Sequence, residues 1–318
     1  MYFPVAGIEV NPLIPPLTAF VISFFTSMGG VSGAFLLLPF QVSVLGFTSP
    51  AVSSTNHVFN IVAIPSGVYR YVKEGRMVWP LTWIVIIGTL PGVLLGAIIR
   101  VRYLPDPRAF KLFAGLVLLY IGLRLLNDVL FKNKKGDTPS VEQRFQQRRQ
   151  EARNTTAAPP AGTTTDLHVT VRQWTVRRIV YEFCDETITV NAVGVMVLSL
   201  VVGLIGGVYG IGGGSIIAPF FVTFFGLPVH TVAGAALMGT FVTSVAGVLF
   251  YQFLAPFHPT MAVAPDWGLG ILFGLGGFAG MYCGARLQKR VSAAAIKWLL
   301  AACILSTGGK YVIDFFLR

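Results

Sequence analysis

Apolar residues run along this chain in blocks long enough to cross a bilayer, without the strict alternation of a half-buried sheet. About 20 apolar residues span a bilayer core. Stretches of that order with few or no charges cover residues 12–28, 50–69, 77–99 and 109–130, and then 190–209, 228–254, 267–285 and 294–313. Each half adds a shorter apolar piece, 34–46 and 215–226, directly after a glycine cluster. At about 1.5 Å per residue such a piece covers only part of the bilayer. The pattern predicts an all-α polytopic membrane protein. Each half holds four full spans plus one Gly-broken half-length helix, eight to ten transmembrane helices in all.

Residues 131–189 break the pattern. They hold ten of the 24 Lys and Arg and seven of the 13 acids, with low-complexity runs such as Thr163–Thr165 and Ala157–Pro160. This reads as a hydrophilic linker between a first membrane repeat, 1–130, and a second, 190–318. Alternation over Val176–Phe183 and Thr187–Asn191 predicts a small β-hairpin late in the linker.

The halves are related in sequence. An offset of 180 superposes Gly30 on Gly210, Gly33 on Gly213, Pro39 on Pro219, Phe40 on Phe220, Gly46 on Gly226, Gly67 on Gly247 and Tyr71 on Tyr251. At an offset of 188 Gly88, Gly92 and Gly96 fall on Gly276, Gly280 and Gly284. Duplication with helices broken by glycine at matching positions points to a secondary transporter with its site near the midplane between repeats. With the linker cytoplasmic, inverted repeats place Lys73, Arg76, Arg286, Lys289 and Arg290 inside, as the positive-inside rule asks. The cluster Arg100, Arg102, Arg108 and Lys111 then faces outward, against that rule. Parallel repeats mend this but export the basic linker, so inverted repeats are the preferred reading.

Composition excludes a water-soluble domain: 54% of the 318 residues are hydrophobic and 12% charged, with a mean hydropathy of +0.71. A soluble chain carries about 25% charged residues. The net charge of +11 therefore reads as membrane topology and affinity for anionic lipid, not as nucleic-acid binding. Cys184, Cys283 and Cys303 are too few and scattered for a disulfide framework or a metal site, and read as structural thiols. The first eleven residues hold no Lys or Arg, so the first apolar stretch reads as a retained span rather than a cleaved signal.

The strongest local signal is Gly210-Ile-Gly212-Gly213-Gly214-Ser215-Ile-Ile-Ala-Pro219, with a weaker copy at Gly30-Val-Ser32-Gly33-Ala34-Phe-Leu-Leu-Leu-Pro39. Glycines so spaced do not propagate a helix, so the chain opens here and restarts with Ser215 or Ala34 in a new first turn. A restarted helix presents free N–H groups and a positive dipole end, which favour an anion. The competing reading is close helix packing by small residues, which is preferred for Gly88, Gly92 and Gly96 at their spacing of four. The acids outside the linker, Glu9, Glu74, Asp106, Asp128, Asp266 and Asp314, all avoid the middle of a predicted span. Cation carriers place a carboxylate there, so an anion fits better.

His57 is an ionisable side chain inside a predicted span, and Ser53, Asn56, His57 and Asn60 share one helix face. The matching stretch carries Thr240, Thr243 and Ser244, which are polar but do not titrate, so any pH dependence falls on His57. Bonding between helices is an equally open role for these groups. Arg124 with Asp128 and Lys310 with Asp314 read as interfacial i, i+4 salt bridges. Tyr69, Tyr71, Trp79, Trp83, Tyr251 and Trp267 read as an aromatic belt. The chain offers no H-E-x-x-H motif, nucleophile elbow or P-loop, so neither an enzyme nor an ATP-driven pump is indicated, and no cofactor.

The G-x-G-G-G-x-x-x-x-P signature, its partner at Gly30–Pro39 and two four-span repeats around a hydrophilic linker resemble the sulfite exporter TauE/SafE family, also called the toluene sulfonate uptake permease family. The resemblance covers roughly 12–130 and 190–316. It implies transport of a small sulfur-containing anion, sulfite or an organosulfonate, across the plasma membrane of a bacterium or archaeon. The substrate site would draw on Gly30, Ser32, Gly33, Ala34, Asn56, His57 and Asn60 in the first half, and Gly212, Gly213, Gly214, Ser215, Thr240, Thr243 and Ser244 in the second. The first copy departs from the signature at Ser32 and Ala34. Two alternatives stand beside this: a carrier of another small solute, a carboxylate or metal ion, and a membrane scaffold or sensor acting through the linker. The implied partners are the small anion and the lipid bilayer, with a homo-oligomer left open.

Overall fold

The computed structural model describes residues 1–28, 32–73, 75–131, 169–183, 186–227, 229–287 and 293–317. Most of the 131–189 linker, Cys184 and the Gly30 expectation lie outside these residues. The first half forms α1 (Ile14–Met28), α2 (Ala34–Ser43), α3 (Ala51–Ala63), α4 (Pro65–Lys73), α5 (Trp79–Arg102) and α6 (Pro107–Phe131). The second forms α7 (Ala192–Tyr209), α8 (Ile217–Phe225), α9 (Val229–Leu254), α10 (Trp267–Leu287) and α11 (Ala293–Leu317).

Among the described residues six helices, α5, α6, α7, α9, α10 and α11, are long and apolar enough to cross a membrane. The chain is a polytopic membrane protein. Two expected spans are not among these six. α1 has 15 described residues before the undescribed 29–31. The span at 50–69 divides at Pro65, which has no N–H and cannot continue the ladder, so α3 gives way to α4, while its counterpart α9 is unbroken over 26 residues.

Glycines set how closely the helices approach. A Cβ on Gly203 or Gly207 of α7 would strike the backbone of Thr89 or Val93 of α5, so the two helices run parallel in contact. α1 and α10 repeat the arrangement, with Gly276, Gly280 and Gly284 against Pro16, Phe20 and Phe24. α6 meets α11 in the opposite sense: Gly115 lies on Gly308 and Tyr311, and Gly122 on Ile304 and Leu305. α3 and α4 are likewise antiparallel to α9, with His57 against Gly247 and Leu237 against Gly67. Every one of these contacts joins one half of the chain to the other.

Two small sheets sit at the ends of the helices. Tyr2–Phe3 (β1) pairs antiparallel with Ile8–Glu9 (β2), and the buried Asp266 ties this hairpin down. Its Oδ2 accepts from the Ala6 amide at 3.3 Å, while Oδ1 caps α10 by accepting from the Leu269 amide at 3.0 Å. Thr170–Trp174 (β3), Arg178–Phe183 (β4) and Glu186–Asn191 (β5) form an antiparallel sheet in the order β3-β4-β5. Ile179, Tyr181 and Phe183 alternate inward along β4. Tyr181 OH lies 3.0 Å from Thr231 Oγ1 at the start of α9, and the Val169 amide donates to the Gly75 carbonyl at 3.1 Å, so the sheet is docked where α4 ends and α9 begins.

Tyr69, Trp79, Trp83 and Trp267 are exposed, as an aromatic belt would be. Tyr251 is not: it is fully buried, with its hydroxyl donating to the Gly207 carbonyl at 3.1 Å. Lys310 and Asp314, one helical turn apart, form no ion pair, and a surface pair of this kind contributes little. Arg124 donates to Tyr120 OH at 3.0 Å and lies over the Phe220 and Phe224 rings, and the side chain of its expected partner Asp128 lies outside those described.

Candidate functional site

The helices on either side of each glycine cluster stop and restart. α7 ends at Gly210 in the left-handed conformation, φ +82°, where its amide still reaches Gly206 O at 2.8 Å. A side chain at 210 would also strike the backbone of Ser53, so glycine is required twice over. Gly212 is left-handed as well, φ +75°, and turns the chain toward α9. α2 restarts at Ala34 as expected. α8 begins at Ile217, later than expected, because residues 213–216 form a turn. Ser215 Oγ folds back onto the Ile211 carbonyl instead of opening the helix.

Both loops converge on the polar face of α3. Asn56 Nδ2 donates to the Ala34 carbonyl at 3.0 Å, and Ser32 Oγ donates to Asn60 Oδ1 at 3.2 Å while accepting from the Ala34 amide at 3.3 Å. Asn60 Nδ2 then crosses to the second loop, donating to the Ile211 carbonyl at 2.9 Å and to Ser244 Oγ at 3.3 Å. His57 Nδ1 lies 3.2 Å from the same Ser244 hydroxyl. On the other side Gly213 N donates to Thr243 Oγ1 at 3.1 Å, and Ser215 Oγ reaches Thr240 Oγ1 at 3.4 Å. Ser32, Asn56, His57, Asn60, Ser215, Thr240, Thr243 and Ser244 are all buried, in one hydrogen-bonded region shared by α2, α3, α9 and the two loops.

Parts of this region are left unsatisfied. His57 Nε2 and Asn56 Oδ1 are buried without a hydrogen-bond partner among the described residues. The amides of Gly212 and Gly214 donate to no group among the described residues. Each buried polar group without a partner costs about 1–3 kcal/mol, so these groups retain capacity for further polar contacts. No acidic side chain among the described residues lies in it. Gly33 does not join the cluster: it faces α1, where a Cβ would come 2.8 Å from Ser23 Oγ.

Reading the sequence placed Ser53 on the polar α3 face without making it a site residue, and missed Thr89. Ser53 Oγ donates to the Val208 carbonyl at 3.2 Å, holding α3 against the end of α7. Thr89 of α5 fills the space above Gly213. Ser53 was legible from its place on the α3 face; Thr89 carries no such signal.

A family model described as Sulfite exporter TauE/SafE matches residues 16–311, which take in both loops and every helix of this region. The chain belongs to that family. TauE/SafE proteins are membrane transporters rather than enzymes, so the buried polar region stands in a transporter and not in a catalytic protein. No curated protein and no solved structure matches the chain.

Proposed function

We propose that this TauE/SafE protein is a secondary transporter that carries a small sulfur-containing anion, sulfite or an organosulfonate, across the plasma membrane of a bacterium or archaeon. The anion binds between the two glycine-broken loops, against His57, Asn56 and Asn60 of α3 and Thr240, Thr243 and Ser244 of α9. One observation carries the reading: both helix restarts converge on a buried polar face that retains unpartnered groups and has no carboxylate among the described residues. Amides, hydroxyls and carboxamides without an acid favour an oxyanion over a cation.

We also infer that the halves are inverted repeats. The support is that α6 and α11, which occupy the same place in each half, run antiparallel, as do α3–α4 and α9, and that α5 lies on α7 as α10 lies on α1. Rocking one repeat against the other would then expose the central region to either side in turn.

The test is uptake of radiolabelled sulfite and of an organosulfonate by purified protein in liposomes, with and without a pH gradient and with Gly213→Val as control. A side chain there would collide with Thr89. Saturable flux that the substitution abolishes is expected; no saturable flux of either anion under any gradient overturns the reading.

A further inference from the structure

Arg100 stands in the last turn of α5 with none of its surface exposed. Its guanidinium donates to the carbonyls of Leu104 and Thr48 and lies 3.7 Å from the Phe110 ring centroid. The Nε–H, also buried, has no acceptor among the described residues. No carboxylate pairs with this cation among the described residues. Two neutral carbonyls, an aromatic face and the partial charge of the α5 C-terminus offset a part of it, and the remainder is a buried positive charge that wants a counter-ion.

Its position gives that counter-ion a meaning. Tyr251 is buried in one cluster with Ala97 and Val101, the neighbours of Arg100 along α5. The Tyr251 ring centroid is 6.1 Å from that of His57. Tyr251 therefore links the Arg100 end of α5 to His57 in the central polar region. A second cation stands near the other end of α5. Tyr71, which matches Tyr251 at the offset of 180, carries the Arg76 guanidinium 4.6 Å from its ring centroid. Arg76 precedes α5 and Arg100 ends it, so the two cations mark opposite ends of a 24-residue helix about 36 Å long.

We propose that Arg100 binds a small anion at the mouth of the pathway remote from the β3–β5 sheet, an outer subsite that delivers to the central region past Tyr251. The ligand class is a compact inorganic or sulfonate oxyanion, or chloride, able to accept from Nε–H and compensate the guanidinium. The proposal rests on the anion reading above for its place in transport, though not for the site itself.

Melting temperatures of purified protein in sodium gluconate, chloride, sulfate and sulfite test it, with Arg100→Gln, Arg100→Lys and His57→Ala beside wild type. Wild type and His57→Ala are expected to melt several degrees higher in the small anions than in gluconate. Arg100→Gln loses most of that gain, Arg100→Lys keeps more of it than Gln does, and in liposomes the KM of Arg100→Gln for sulfite rises about tenfold. A gain with oxyanions alone identifies the substrate class, and an equal gain with chloride identifies a general counter-ion; either places an anion at Arg100. An undiminished gain in Arg100→Gln overturns the proposal. Should that variant not fold, a wild type that gains nothing from any small anion does the same. A wild type that gains stability through Arg100 but moves no sulfite sinks the transport reading and leaves the subsite standing.

Discussion

His57 Nδ1 lies 3.2 Å from Ser244 Oγ, and Asn60 Nδ2 reaches the same hydroxyl at 3.3 Å. One second-half oxygen thus holds two first-half side chains, and a movement of the halves against each other has to break or exchange these bonds. Ser244→Ala leaves an Asn60 N–H and the His57 Nδ1 buried without their partner, costing about 1–3 kcal/mol. The expected result is a lowered melting temperature and several-fold slower sulfite uptake in a protein that still inserts. His57→Ala removes the imidazole from the cluster and is expected to alter the pH profile of uptake more than protein abundance. An unchanged profile would reduce His57 to a structural part.

Glycines in the broken segment differ in what they forbid. A Cβ on Gly214 would overlap the Ala236 carbonyl oxygen, and the nearby Thr240 Oγ1 would be 2.7 Å away. Backbone cannot step aside as a side-chain tip does, so Gly214→Ala should cost about 3 kcal/mol or more and abolish uptake. Gly226, which ends α8 at φ +63°, has open space around its Cβ position. Gly226→Ala meets only the left-handed backbone penalty, about 1–2 kcal/mol, and should keep its flux. Equal uptake by the two variants would remove the packed turn from the site.

How far the sequence showed this molecule depends on which force decides each feature. Span positions were legible because bilayer thickness sets a length and hydropathy reports it: α5, α6, α7, α9, α10 and α11 fall on the apolar stretches. The loops at Gly33 and Gly210–Ser215 were legible because consecutive glycines fail as helix. Their convergence on Asn60 was not, since a hydrogen bond from residue 60 to residue 211 leaves no local trace. Tyr251 looked like a belt residue because proximity to a span end is a statement about depth, not about which way a side chain faces. Arg100 was read only as part of an outward-facing cluster, and its burial leaves no local trace for the same reason.

Repeat-related glycines should fail alike. Gly92 on α5 and Gly280 on α10 match at an offset of 188, and a Cβ on either meets partner backbone: Leu204 N at 2.6 Å for Gly92, and Phe20 Cα at 2.9 Å for Gly280. Gly92→Ala and Gly280→Ala should each cost about 1–3 kcal/mol, read as matched drops in melting temperature. Gly309 on α11 has nothing within 4 Å of its Cβ position, so Gly309→Ala serves as the control and should be neutral or slightly stabilising by helix propensity. A drop confined to one of the first two would deny the equivalence of the α5–α7 and α1–α10 pairs.

Tyr181 carries the docking of the β3–β5 sheet against the start of α9. Burial pushes its phenol up to about 12, with the hydrogen bond to Thr231 pulling slightly the other way. The ordinary phenol value is about 10, so below that pH both the docked and undocked tyrosines are neutral and nothing changes with pH. Between about 10 and 12 the undocked tyrosine ionises while the docked one does not, and the docked state loses up to about 2–3 kcal/mol. Hydrogen exchange of the β4 amides should therefore be flat up to about pH 10, after correction for the intrinsic rate, and accelerate above it. Tyr181→Phe keeps the buried ring and loses only the bond to Thr231, at about 1 kcal/mol. Its exchange should start slightly faster and stay flat through the same range, because the group that titrates is gone; an acceleration above pH 10 in Tyr181→Phe would assign the effect to another group.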